Sequence, residues 1–315
     1  NITSLLFGQQ YNTQTKNTDY FMEIEIYQRV TMIFRSIFQA NSIFLSFNSI
    51  QLLNSNHDQE ESIIKTEVNA MSLMKNKLNR ISRDVIPFQN GLFSNLTFLN
   101  LNYNEIESIE DFSFSGLKSL SNLYLNKNKL TKITNYTFYG LNKLAYIEIQ
   151  NNFIASIDSH AFANFKFLQT LNMESNLLEN FNLYYFEGKA LIANLESNRI
   201  KAIESVVVSN YVVNTKIKIS FNHIEKLTRN SFRNLYSTLD NLILISNKIE
   251  FIEDDSFVEF KMLDTLDLSS NNLRNISERT FKGLTNLKFF RLNDNQIEFI
   301  HDNAFSCLLY TSRRG

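Results

Sequence analysis

The stretch Leu123-Tyr124-Leu125-Asn126-Lys127-Asn128-Lys129-Leu130 decides the fold. Its pattern, LxLxxNxL, returns as Ile147, Ile149, Asn152 and Ile154, and as Leu171, Met173, Asn176 and Leu178. Further on it returns as Leu266, Leu268, Asn271 and Leu273, and as Phe290, Leu292, Asn295 and Ile297. The asparagine keeps time. Asn104, Asn128, Asn152, Asn176, Asn198, Asn222, Asn247, Asn271 and Asn295 follow one another at intervals of 24, 24, 24, 22, 24, 25, 24 and 24 residues. Two looser copies precede them, Asn48 (with Ile43, Leu45 and Ile50) and Asn76 (with Met71, Leu73, Leu78 and Ile81), each 28 residues from the next. That makes eleven repeats.

A second half accompanies each copy. Phe114 and Leu117 hold two slots that Phe138 and Leu141, Phe162 and Phe165, Phe257 and Phe260, and Phe281 and Leu284 fill elsewhere. Gly116, Gly140 and Gly283 share one slot between them, as a turn with no room for a side chain requires. Alternating apolar residues put one face of a short strand inward. One coil cannot bury that face alone, so coils stack and their strands form a parallel sheet. The chain must then bend sharply. An asparagine amide, both donor and acceptor, can bond the backbone of its own coil and of its neighbour. The phenylalanines supply the bulk that the outer side needs.

The chain resembles the leucine-rich repeat family over residues 34–306, in the 24-residue "typical" form of animal extracellular proteins of the chaoptin-like and Toll-like kind. The resemblance implies an α/β repeat solenoid, a horseshoe with a parallel β-sheet on its concave face. Turns, short 3-10 or irregular segments would form the convex face. Residues 1–33 form a divergent N-terminal segment with only an Ile24/Ile26 alternation. Residues 34–306 read as a single solenoid of about eleven repeats. Residues 184–216 lack the Phe-x-x-Leu signature, which Val206–Val208 and Val212–Val213 replace, and read as a local irregularity. In the tail, Cys307-Leu308-Leu309-Tyr310-Thr311-Ser312 resembles the translated transposase end sequence used to prepare sequencing libraries. Residues 307–315 are therefore expected to be an adapter-derived artefact and the chain an internal fragment.

Composition narrows function. Among 315 residues, 31 Lys and Arg face 32 Asp and Glu, for a net charge of -1, so there is no general attraction to nucleic acid or anionic membrane. With 7 Gly, 1 Pro, 1 Cys and no Trp, glycine-cradled phosphate sites, disulfide frameworks and CxxC zinc sites are excluded. The 43 asparagines fit AT-rich coding, which does not account for where they sit. His57, His160, His223 and His301 show no metal-ligand spacing. Asp254-Asp255 and Glu60-Glu61 are sequence neighbours, so they do not converge as an acid/base pair. The expectation is a protein that is not an enzyme and needs no cofactor or metal. No apolar run approaches the ~18–20 residues of a membrane span. Membrane attachment would need segments absent from this chain.

Function should then lie on the sheet face, where residues six, four and two before each ladder Asn point away from the core. Phe98, Tyr103, Tyr124 and Tyr146 are expected to make an aromatic cluster. Beside it runs an acidic strip, Glu148, Glu174 and Glu196, followed by Lys216 and Lys218. The expected partner is a protein that brings Lys or Arg to the strip and apolar surface to the rings. Candidate N-glycosylation sequons at Asn1, Asn95, Asn135 and Asn275 avoid the ladder positions. The resemblance implies protein–protein recognition by an extracellular or cell-surface ectodomain, in cell adhesion or receptor signalling. The alternative is an intracellular scaffold binding cytoplasmic proteins.

Overall fold

The computed structural model describes residues 42–44, 68–82, 88, 93–162, 165–182, 192–204, 215–232 and 235–309. Residues 1–33, Asn48, His57, Pro87, the valines at 206–208 and 212–213, and residues 310–315 lie outside them. The described chain is a stack of coils. Each contributes one short strand to an eleven-stranded sheet in which every neighbour is the next coil. The strands run Ser42–Phe44, Ala70–Ser72, Phe98–Asn100, Asn122–Tyr124, Tyr146–Glu148, Thr170–Asn172, Ile192–Asn194, Thr215–Lys218, Leu239–Ile243, Thr265–Asp267 and Phe289–Arg291. All pairings between them are parallel. Among the described residues the α-helical content is one turn, Ser306–Leu309, and Phe88 and Leu235 lie in 3-10 segments.

Below the sheet lies a continuous apolar core. Leu99, Leu123, Ile147, Leu171, Ala193, Ile217, Leu242 and Leu266 are fully buried in successive coils. Opposite them runs a row of phenylalanines in ring contact. Phe138 stacks on Phe162 at 6.0 Å, Phe257 on Phe281 at 6.3 Å, and Phe281 on Phe305 at 6.0 Å. The shared glycine slot explains itself here. A Cβ on Gly140 would meet the Ser115 carbonyl oxygen at 2.8 Å, and one on Gly283 would meet that of Phe257 at 2.6 Å; both have positive φ.

The outer side holds more order than turns and irregular segments. Short parallel strands pair in twos across adjacent coils, as Lys132–Ile133 with Ser156–Ile157 and Asn275–Ile276 with Phe299–Ile300. Coils already spaced by the main sheet bring these extended segments within hydrogen-bonding reach, so they exchange bonds wherever the backbone stays straight.

The asparagine amides join the coils. Asn128 Nδ2 donates to Leu125 O of its own coil and to Leu101 O of the preceding one, both at 3.0 Å. Its Oδ1 accepts the Ile106 N–H of the preceding coil, also at 3.0 Å. Asn104, Asn152, Asn176, Asn198, Asn222, Asn247, Asn271 and Asn295 repeat the arrangement at 2.9–3.2 Å. Asn76, buried, donates to Leu73 O at 2.9 Å. The residue before each ladder Asn, from Lys75 to Asp294, is left-handed, with φ between 53° and 56°. That turn swings the asparagine inward.

The 25-residue interval has a local cause. Thr215 pairs with Leu239 but Lys216 pairs with Asn241, so Asp240 bulges out of the sheet. Its Oδ1 is buried without a hydrogen-bond partner. Burial holds the carboxyl above its ordinary range; Asp264 adds to this and Lys216 opposes it. The shortened interval of 22 residues spans 183–191, outside the described residues.

Two predictions follow from these arrangements. Asn176→Leu removes bonds to Ile149 O, Met173 O and Ile154 N, whereas Asn172→Leu removes one to Glu174 N. At ~1–3 kcal/mol per orphaned buried group, the first should lose roughly 3 kcal/mol or more and the second about 1. Equal melting temperatures would refute the ladder. For Asp240 the folded state favours the protonated acid. Its contribution is therefore favourable below the ordinary carboxylate pKa and is lost as pH rises through the raised one. Asp240→Asn should stabilise at pH 7, and the gain should vanish in acid, below the ordinary carboxylate range. Thermal melts across pH 3–8 measure it.

Candidate recognition face

The strand period lays solvent-facing side chains in columns, and the strand pairing makes residues of successive coils neighbours. Tyr124 lies beside Glu148, Glu148 beside Asn172, Asn172 beside Asn194, and Asn194 beside Lys218. Glu174 and Glu196 occupy the next column, two residues before their ladder asparagines, and both are half-buried. Asn194 Nδ2 reaches Glu174 Oε2 at 3.1 Å, and Gln150 Nε2 reaches Glu148 Oε2 at 3.4 Å. Lys216 and Lys218 are exposed on one strand, with the buried Thr215 and Ile217 alternating between them.

The structure divides the expected aromatic cluster. Phe98 and Tyr124 are in ring contact, 5.1 Å between centroids. Tyr146 is turned aside, its hydroxyl donating to Gln169 Oε1 at 2.8 Å. Tyr103 does not join them, because it occupies the left-handed position before Asn104 and is thrown to the rim. There the Lys75 and Lys127 ammoniums sit 5.6 and 4.7 Å from its ring centroid, two cation–π contacts from the coils on either side. The column two before the ladder Asn is also less open than its register suggests: Asn102, Ser220 and Ser269 are buried.

Sequence reasoning missed a second apolar patch. Ile243 and Ile245 are half-buried on the same face, and Phe221, at the left-handed position, is 57% exposed. Ile243 is the strand partner of Lys218, and the Phe221 N–H donates to Ile245 O at 2.9 Å. Both isoleucines stand in face columns where a polar residue is usual in this chain. That was the available signal.

Off this face, some charges pair between adjacent coils. Lys129 pairs with Glu105, Lys132 with Asp158, Lys201 with Glu179, and Arg274 with Glu298. Asp255 is gripped by Arg279 and approached by Arg229 and Lys282. The hydrogen bond from Arg279 holds its carboxyl below the ordinary range. At the C-terminal end of the face, Asp267 pairs with Arg291 at 3.4 Å. In the middle, Glu148, Glu174, Glu196, Lys216 and Lys218 form no ion pair among the described residues.

The remaining sequence candidates lie elsewhere. Asn95 and Asn135 are half-buried in outer turns, and Asn135 Oδ1 accepts the His160 N–H at 2.8 Å. Asn275 is exposed on an outer strand, and Asn1 lies outside the described residues. Among the described residues no three His, Cys, Asp or Glu side chains converge as a metal site. No described helix is long and apolar enough to cross a membrane.

Comparison with known proteins agrees with this architecture. The leucine rich repeat family model matches residues 94–154, 215–273 and 261–309. The crystal structure of the leucine-rich repeat domain of APL1B superimposes with a TM-score of 0.64 at 19% identity, over 87% of this chain and 78% of that one. An internalin (inlF) from Listeria monocytogenes gives 0.43 at 18%, over 90% and 86%. TLR13 in its complex with ssRNA13 gives 0.34 at 17%, over 84% and 64%. No curated protein matches. The first superposition bears on the fold alone. The family match and the asparagine ladder identify the chain as a member of the leucine-rich repeat family.

Proposed function

We propose that the protein recognises a protein partner through the sheet face, as part of an extracellular or cell-surface ectodomain acting in adhesion or receptor signalling. Leucine-rich repeat folds are protein-binding scaffolds, typically without catalysis. The observation that carries the reading is the composition of the sheet face. Glu148, Glu174, Glu196, Lys216 and Lys218 lie along its centre and form no ion pair among the described residues. Apolar groups flank them on both sides, Phe98 and Tyr124 toward the N-terminus and Phe221, Ile243 and Ile245 toward the C-terminus.

A partner that fits this face presents Lys or Arg to the glutamates and a carboxylate to the lysines, and rests apolar side chains on the two patches. Aromatic anchors at the ends would supply most of the affinity. The charged middle would set register and association rate. The positions of the sequons support the extracellular setting, since Asn275 is exposed and none of the four is a ladder residue.

The test is a binding screen of the secreted chain against arrayed extracellular proteins, repeated with Glu174→Lys/Glu196→Lys. Binding to the identified partner should weaken at least ~10-fold with an unchanged melting temperature, and more steeply at low salt. Lys129→Glu, in a matched outer pair, serves as the control. Undiminished binding by the double variant would sink the proposal.

A further inference from the structure

The outer side carries two exposed phenylalanines at one repeat position, Phe251 inside the stack and Phe299 on the last described coil. Phe251, at the start of the short strand Phe251–Ile252, is 57% exposed, and Phe299, at the start of Phe299–Ile300, is 56% exposed. The coil between them places Asn275 at the same repeat position. Asn275 and Phe299 are strand partners. Flanking bonds tie the Phe251 and Asn275 coils together: the Asn272 N–H donates to Ile249 O at 2.9 Å, and Ser277 Oγ donates to Asp254 Oδ1. In each of the first two strands the next residue, Ile252 or Ile276, is buried, so position 251 and position 275 face outward together. An exposed asparagine therefore stands at the repeat position between two exposed phenylalanines, as the strand partner of Phe299 and one coil after Phe251.

Asn275-Ile276-Ser277 is also a sequon. Of the three sequon asparagines among the described residues, Asn275 is the exposed one, while Asn95 and Asn135 are half-buried. We infer that Asn275 carries an N-linked glycan whose first sugars lie on Phe251 and Phe299, shielding both from water. The inference rests on the extracellular reading above. The chemistry requires a lipid-diphosphate-linked oligosaccharide as donor. Asn275 Nδ2 attacks the anomeric carbon, the C–O bond to phosphate breaks, a C–N bond forms, Nδ2 gives up one proton, and the lipid diphosphate departs. The apolar C–H face of an N-acetylglucosamine then packs on the ring faces, covering area that the rings otherwise expose.

The experiment expresses the full chain through a eukaryotic secretory pathway behind a heterologous leader. It measures occupancy at each sequon by peptide mass spectrometry and the melting temperature before and after enzymatic deglycosylation. The expected result is an occupied Asn275 and a fall of about 2 °C on deglycosylation. That fall should be absent in Phe251→Ser/Phe299→Ser, which keeps the sequon. An empty Asn275 with Asn95 or Asn135 occupied would overturn the inference and leave the extracellular reading standing. Empty sequons throughout would overturn both. An occupied Asn275 with the same thermal shift in both backgrounds would overturn the packing of sugar on the rings.

Discussion

One buried amide per coil ties the solenoid together. Asn128 reaches three backbone groups on two coils, and no hydrophobic side chain can replace it there, because those groups are sealed from water. The backbone of a coil is satisfied mostly by its neighbours. The Leu101 N–H donates to Tyr124 O and the Tyr103 N–H to Asn126 O, both on the following coil. A single coil therefore has neither a core nor a complete set of hydrogen bonds. Stability is a nearest-neighbour property, and the asparagine fixes the neighbour's register.

That amide can point inward only because the residue before it adopts a left-handed backbone. Among the described residues, ten that precede a ladder asparagine do so, including Tyr103 and Phe221. Each such conformation costs on the order of 1 kcal/mol, which the buried asparagine bonds offset. The same turn throws the preceding side chain outward to the rim. A requirement of the fold thus creates a column of side chains with no structural duty, one per coil, along the edge of the sheet. Tyr103 between two lysines and the exposed Phe221 are both products of it.

The repeat period made much of this legible. It located the strands, the ladder, the phenylalanine row and the glycine slot, since each depends on a residue type that only one environment tolerates. What it could not give has physical reasons. The 25-residue interval announces one extra residue, but any turn could absorb it; that Asp240 bulges in the sheet depends on strand pairing. The left-handed positions carry Lys, Tyr, Asn, Ser, Phe and Asp, so composition offers no signal. Columns say which residues are neighbours and not how far a side chain reaches, so they do not reveal that Tyr103 and Tyr146 turn away from the Phe98–Tyr124 pair or that Ser220 is buried.

The charges resolve into two populations under different constraints. Outer pairs such as Lys201 with Glu179 are largely exposed, and such pairs contribute little to stability. Folding is nearly indifferent to whether they are matched. Matching along the outside avoids like-charge contact between coils stacked about 5 Å apart. By that logic the glutamates at positions 174 and 196, in one column of adjacent coils, should have been neutralised too. Their column offers nothing basic, and Lys218 stands one coil further along in another column. The partner proposed above, bringing Lys or Arg to this column, would relieve the repulsion between the two glutamates.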